Sequence, residues 1–414
     1  MLRSMYSGVS GLRSHQTMMD VVGNNIANVN TAGYKSSSSV FQDVLSQTLQ
    51  GAGSPQNGAG GTNPAQVGLG TKVAAVSTNW GQGATQLTGR ATDLAIQGDG
   101  FFAVQQGGET LYTRSGSFSF DADGTLVTAS GASVQGWMAN AGVINTNAPL
   151  TQVRLPIGQT LPPNQTTTMR LGGNLPADAP VATVLSNSIT VFDGQGTALP
   201  VSLSFEKTAA DTWEVTASMP TTTIPAGVQQ VGSQVLTWDP VTKTFTPPTM
   251  ALAPDAAVGL FAAGGITVEL GTAAEPMTQY SGANNLAALS QDGAAMGSLT
   301  SFTISPDGTL VGVFSNGLRE PVGQIAMSSF TNPGGLEKVG GSMYRPSVNS
   351  GLVQNGTAGT GGRGTLSGGV LEMSNVDLAQ EFTNLIVAQR GFQANSRVIS
   401  ASDELLQDLV NLKR

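Results

Sequence analysis

The side chains able to do chemistry are few, and their spacing points away from catalysis. His15 is the sole histidine of the 414 residues, so a Ser-His-Asp relay has to run through it. It falls inside a stretch with helical apolar spacing, where an imidazole reads as a helix-surface or seam-edge residue. Asp121-Ala122-Asp123-Gly124 opens like a calcium loop, but the later oxygen ligands and closing glutamate are missing. A type I′ hairpin turn at Asp123-Gly124 accounts for the same residues. Gly359, Gly361 and Gly364 match G-x-G-x-x-G, yet no convincing strand precedes them and the surroundings are glycine-rich, so a dinucleotide site is not expected. Asn-Gln-Thr at 164 and Asn-Gly-Thr at 355 have the form of glycosylation acceptors, a tripeptide common by chance. The sequence offers no catalytic residue, no cofactor site and no metal ligand set, and favours a structural or binding protein.

Composition narrows this further. Charged residues make up 11%, with 54 glycines and no cysteine, so polarity comes from Gly, Ser, Thr, Asn and Gln and no disulfide or thiolate metal site exists. The formal charge of −8 lies in the middle of the chain. Residues 1–35 sum to +2 and residues 376–414 to −1, leaving −9 between them. An acidic body without a basic cluster argues against nucleic acid as a partner. No run of about 18 uncharged apolar residues is available for membrane insertion, and the N-terminus lacks the apolar core of a secretory signal.

The elements that carry apolar spacing sit at the two ends. Leu2, Met5, Val9, Leu12, Met19 and Ile26 occupy a and d positions of one heptad frame. Leu378, Leu385, Phe392, Ile399 and Leu406 recur every seven residues, with Ala388 and Leu409 three places after members of that series. Ser374 and Asp377 have the form of a capping box ahead of this run. The spacing predicts a terminal helical domain of residues 1–35 and 371–414, packed as a coiled coil.

Between the ends the signals are those of strands and tight turns. Residues 72–146 and 280–354 alternate short β-prone runs with Gly-Asp-Gly, Gly-Gly and Asp-Gly turns and predict an intermediate β-domain. Residues 147–279, richer in Pro and Thr, predict an inserted outer β-domain. Residues 36–71 and 355–370 are rich in Gly, Ala, Asn and Ser and predict flexible connectors. The fold class is therefore mainly β with terminal α-helices, a discontinuous two-domain all-β body plus the helical domain. Five seam side chains supply about 10 kcal/mol gross, whereas ordering some 70 terminal residues costs about 1 kcal/mol or more per residue. Such ends become worthwhile when each pair packs on identical pairs, and a heterologous contact that does not close makes a helical tube.

Three stretches carry a resemblance. "SGVSGL...DVVGNNIANVNTAGYK" resembles the N-terminal signature of bacterial flagellar rod, hook and hook-associated axial proteins. Its positions here are Asn24, Asn25, Ile26, Ala27, Asn28, Thr31, Gly33 and Tyr34. "GGVLEMSNVDLAQEFTNLIVAQRGFQANSRVISASDELLQDLVNL" resembles their C-terminal partner helix. "DLAIQGDGFFAV...YTRSGSFSFDADGTLV" resembles the β-domain of the hook and distal-rod branch. Length and the insertion fit the hook members.

The resemblance implies a self-assembling tube of identical subunits, with terminal helices lining the inner wall, that serves as a flexible universal joint between motor and filament. It implies as partners the distal rod, hook cap and hook-filament junction proteins and the flagellar type III export apparatus, with export lacking a cleaved signal. A distal rod or hook-associated member of the same family is the alternative, and a secreted adhesin or enzyme a remote one. The long 36–71 segment resembles the extra connector of distal rod proteins, which is associated with stiffness. In this setting Asn24, Asn25, Asn28 and Asn30 are expected to satisfy orphan backbone groups at the helix end and to fix the register of neighbouring subunits, with Gly33 turning the chain. A plain Asn-rich helix cap is the other reading.

Overall fold

The computed structural model describes residues 2–55, 60–140, 142–156, 158, 160–220, 228–252, 265–271 and 276–411. The chain divides into two compact units, one of residues 1–155, 303–311 and 321–414, the other of residues 156–302 and 312–320.

Helix α1 (Leu2–Ala27) and helix α2 (Leu378–Asn411) belong to the first unit and pack on each other. The N-cap of α2 is Asp377, whose Oδ1 accepts from the backbone N–H of Ala379 and Gln380 at 2.9 and 3.3 Å. Ser374 stands one turn too early for that role, so the capping pattern read from Ser374 is displaced by three residues. A carboxylate at this cap also complements the helix dipole.

The β body of the first unit is built around strand Phe101–Gln106, paired antiparallel with Glu109–Thr113 on one side and Ser133–Asn140 on the other. Alternation places Phe101, Ala103 and Tyr112 in one cluster with Phe330 and Tyr344, against which Trp80 packs edge-on. The hairpin joining Phe118–Phe120 to Leu126–Thr128 is closed by Asp121, whose Oδ1 accepts from the N–H of Asp123 and Thr125 at 3.0 and 2.7 Å. Only Gly124 of the 121–124 stretch has positive φ, at 78°. A type I′ turn needs positive φ at both central residues, so the expected turn type is replaced by a longer loop held by the Asp121 side chain.

The segments expected to be flexible connectors are paired strands. Ser37–Asp43 pairs with Thr71–Thr78, and Ser46–Gln50 with Ala65–Gly68, forming one long antiparallel hairpin. Near the C-terminus, Gln354–Gly356 pairs with Met327–Ser329, Thr365–Gly368 with Leu94–Gln97, and Val370–Glu372 with Thr85–Leu87. Gly-rich composition here serves close backbone approach. A β-carbon on Gly364 would sit 2.2 Å from the carbonyl oxygen of Gln97. The G-x-G-x-x-G stretch is a turn filled by its own Arg363, which donates to Thr357 O and Thr360 Oγ1 at 3.1 Å each.

The second unit has a five-stranded antiparallel sheet in the order Val184–Phe192, Ala198–Ala209, Thr212–Pro220, Val228–Asp239, Thr244–Thr246. A second sheet centres on Thr168–Asn174, which runs parallel to Ile266–Leu270 and antiparallel to Ala287–Gln291. The two inner faces share a core that includes Leu171, Phe205, Trp213, Val215 and Val268. This unit begins near 156 and runs to 302, past the boundary at 279 expected from sequence, because the strand at 287–291 pairs inside it.

Candidate assembly site: the helix pair and its junction

α1 and α2 run antiparallel. Gly8 lies against Ile399, Gly11 against Asn395, His15 against Gly391, and Asn25 bonds Glu381, so residue numbers rise on one helix as they fall on the other. The contact depends on missing side chains. A β-carbon at Gly391 would stand 2.5 Å from the His15 ring, one at Gly11 2.8 Å from Asn395 Nδ2, and one at Gly8 3.3 Å from Ile399 Cγ1. Asn395 is held in place by a 2.9 Å bond from its amide to Gly391 O. His15 is further braced edge-on by Phe41 of the hairpin, with ring centroids 5.7 Å apart.

The heptad side chains therefore do not form a closed apolar seam. Met5, Val9, Leu12, Met19 and Ile26 of α1 and Leu385, Phe392, Ile399 and Leu406 of α2 are half-buried, and Leu378 is exposed. The side chains of Leu2 and Leu409 lie outside the described residues. What is fully buried is smaller or polar: Ser14, Val22 and Asn25 on α1, and Ala388, Ser402 and Glu381 on α2. Large apolar groups face solvent beside this line, among them Tyr6, Phe382, Ile386, Val387, Val398 and Leu405. Two helices cover only one side of each other, and α2 keeps apolar groups open on both flanks of that contact, Phe382 and Ile386 on one and Val387, Val398 and Leu405 on the other.

The 24–35 motif builds the junction between helices and body. Asn25 uses its full hydrogen-bonding capacity inside the chain. Its Nδ2 donates to Ser37 O at 2.7 Å and Glu381 Oε1 at 3.1 Å, and its Oδ1 accepts from Ser37 N at 3.0 Å and Tyr34 Oη at 3.2 Å. Asn24 and Asn28 form the helix cap proper. Asn28 Nδ2 donates to Asn24 O and Oδ1, and its own Oδ1 accepts from Thr31 Oγ1 at 3.1 Å. Ile26 is half-buried and Ala27, the last helical residue, is exposed. Gly33 has φ of 70°, and a β-carbon there would lie 2.6 Å from Ser115 N, so both the turn and the close approach exclude other residues. Thus Asn25 is committed within one chain and has no group left to register a neighbour.

Sequence reasoning missed the charged part of this junction. Lys35 and Glu372 form a completely buried ion pair of 2.6 Å, with Arg114 Nη1 3.6 Å from the other carboxylate oxygen. Asn375 ties the same region together, accepting from Ser36 N at 2.8 Å and donating to Asn79 O and Gly81 O. Burial pulls the Lys35 ammonium below its ordinary pKa, an effect opposed by the bond to Glu372. It pushes the Glu381 carboxyl up, opposed by the Asn25 amide and reinforced by the charge of Asp377. Tyr34 is also raised by burial, with the nearby Glu381 charge adding to it. Lysine at the end of the motif and a lone glutamate before α2 were the available signals, but nothing local pairs residues so far apart.

Among the described residues no group of three or more His, Cys, Asp or Glu could hold a metal ion, and no helix is long and apolar enough to cross a membrane.

Four family models match parts of the chain. They are described as flagella basal body rod protein, over residues 5–35; flagellar hook protein FlgE/F/G D1 domain, over 95–169; flagellar basal body protein FlaE D2 domain, over 174–294; and flagellar basal body rod FlgEFG protein C-terminal, over 367–412. The flagellar hook protein FlgE of Treponema pallidum is 39% identical over 465 aligned residues covering all of both chains. The flagellar basal-body rod protein FlgG of Bacillus subtilis is 33% identical, also over all of both. In fold, the crystal structure of Helicobacter pylori flagellar hook protein FlgE2 is similar over 70% of this chain and 100% of that one, with a TM-score of 0.54 at 16% identity. With helices at both ends, two β units between them and full-length identity above that to the rod relative, the chain belongs to the flagellar hook protein FlgE family.

Proposed function

We propose that this chain is the repeating subunit of the hook and that the surface driving its assembly is the uncovered side of the α1–α2 pair. The observation that carries this is the apolar surface left open along both flanks of α2, Phe382 and Ile386 on one and Val387, Val398 and Leu405 on the other, each between 43% and 55% exposed on a helix already packed on α1. Covering the exposed halves of these five side chains gives on the order of 5 kcal/mol per copy, repeated at every contact of a helical array. Identical copies fit because each brings the same two apolar flanks and a heterologous contact propagates. Met5, Val9, Leu12, Met19, Ile26, Leu385, Phe392, Ile399 and Leu406, half-buried in one chain, complete their burial in that array, and Leu378, exposed in one chain, is covered there too.

The assembled tube transmits torque from rod to filament as a universal joint, outside the cell, after export through the flagellar type III apparatus. Its ends meet the distal rod, the hook cap and the hook-filament junction proteins. The β units, poor in charge, slide past neighbours with small energy changes as each protofilament shortens and lengthens. The paired hairpin of residues 37–78 favours a stiffer tube than a loose connector does, in the manner of a rod. Electron microscopy of purified full-length chains tests this: tubes that bend support the reading, straight tubes favour the rod-like one, and absence of tubes on concentration contradicts both.

A further inference from the structure

The outer face of the five-stranded sheet in the second unit carries one row that its own chain leaves unbalanced. Across the strands at one level, Val184 pairs with Glu206, Glu206 with Glu214, and Glu214 with Val235. Residues paired in this way share a face, so the row runs apolar, acid, acid, apolar, with Val184 57% and Val235 50% exposed. Like charges directly opposite each other destabilise a ladder. Among the described residues neither carboxylate pairs with a cation. The adjacent row, Ser186, Ser204, Thr216 and Ser233, offers only hydroxyls. The one cation on these strands, Lys207, points to the other side, where it is buried and its Nζ donates to the carbonyls of Ala177 and Ala179.

The same sheet carries the complementary feature at a strand end. The turn between Val228–Asp239 and Thr244–Thr246 presents Val241, 86% exposed, and an exposed Lys243. Asp239 fixes this turn. Its Oδ1 accepts from Val241 N at 2.8 Å and Thr242 N at 3.4 Å, and its backbone oxygen accepts from Lys243 N at 2.8 Å. Lys243 has φ of 57°, the left-handed region that a residue with a β-carbon enters only where the turn imposes it. Among the described residues its ammonium has no ion-pair partner. One molecule thus shows an apolar tip beside an unpaired cation, and elsewhere a pair of unpaired acids flanked by valines.

We propose that the 239–244 turn of one copy docks on the Val184, Glu206, Glu214, Val235 row of a second copy, with Val241 against a flanking valine and Lys243 between the two carboxylates. This rests on the reading that copies of the chain assemble. Charge complementarity selects a second copy as the occupant, because the chain itself supplies the missing cation with an apolar group two residues away. Turn and row are different surfaces, so the contact is heterologous and repeats from copy to copy along an array. The hydroxyl row beside the acids holds no second charge, so the lysine is anchored at one place and neighbouring second units can rock about it.

The chain has no cysteine, so introduced cysteines report this contact cleanly. Full-length Lys243→Cys and Glu214→Cys chains are mixed in equal amounts, concentrated into tubes and oxidised. Disulfide-linked dimers joining one chain of each kind are expected, with few from either variant oxidised alone. Charge gives a second readout. Lys243→Glu should need about tenfold more protein to form tubes, and adding Glu206→Lys and Glu214→Lys should bring the requirement back to within about threefold of wild type. Tubes without mixed dimers, or a charge swap as defective as Lys243→Glu, overturn the contact and leave assembly through the helix pair standing. Disulfide closure inside single dilute molecules of a Lys243→Cys/Glu214→Cys chain would seat the turn on its own sheet and also overturn it. Absence of tubes from the wild-type chain overturns both the contact and the reading beneath it.

Discussion

Asn25 and Glu381, 356 positions apart in the chain, meet through a buried 3.1 Å hydrogen bond from the Asn25 amide to the Glu381 carboxylate. The bond joins the last turn of α1 to the first turn of α2.

Its first consequence separates adjacent asparagines. Asn25→Ala leaves buried groups on Ser37 and Glu381 unpaired and should cost about 3 kcal/mol. Asn24→Ala, at an exposed cap whose backbone bonds persist, should cost about 0.5 kcal/mol or less. Denaturant midpoints of the full chain at constant slope measure both; equal losses would show that Asn25 is merely part of a cap.

A second consequence is pH dependence. Since burial raises the Glu381 pKa above its ordinary 4.5, the folded chain holds that proton more tightly than the unfolded one. Its contribution to stability is complete below about 4.5 and is lost as pH rises through the folded value. Glu381→Gln, which keeps an oxygen for the Asn25 amide, should therefore gain stability relative to wild type as pH rises from 4.5 toward 7. Parallel wild-type and variant curves over that range would remove Glu381 as the cause.

The close crossing makes Gly391 irreplaceable while His15 is present. Gly391→Ala gains about 1 kcal/mol of helix propensity but drives its methyl group into the imidazole, an overpacking that costs about 1–3 kcal/mol. Adding His15→Ala should recover the loss, giving a coupling of about 1 kcal/mol or more in a double-mutant cycle. Additive effects would mean that the helices do not touch there.

The sequence carried the architecture further than the site. Heptad spacing located both helices because a/d periodicity is local. Asp-Gly and Gly-Asp-Gly turns located the strands for the same reason. What stayed hidden was non-local. Glycine at 8, 11 and 391 reads as a weakened helix until its partner helix is known. Lys35 and Glu372 read as ordinary surface charges until the fold encloses them. Residues 36–71 read as a strap because composition records low apolar content, whereas the pairing of Ser37–Asp43 with Thr71–Thr78 rests on backbone hydrogen bonds and on packing beside α1. The segment spanning 24–30 shows both sides. Its asparagines announced a helix end, but which one capped and which one bridged depended on a glutamate far down the chain.

The exposed apolar groups on α2 should matter for assembly and not for folding of the single chain. Ile386→Asp places a charge at a position 51% exposed, where a lone chain can hydrate it. Its unfolding midpoint should stay within about 0.5 kcal/mol of wild type, while a neighbouring copy would have to bury the charge unpaired, at several kcal/mol. Sedimentation at increasing concentration reads the difference. A variant that sediments as wild type does would place the assembly face elsewhere.

The most direct measurement is electron microscopy of three concentrated samples: the full-length chain, the Ile386→Asp variant, and a chain lacking both helices, residues 2–27 and 378–411. Tubes from the first sample alone are the predicted result. Tubes from the chain without helices would contradict the claim that the uncovered side of the α1–α2 pair drives assembly.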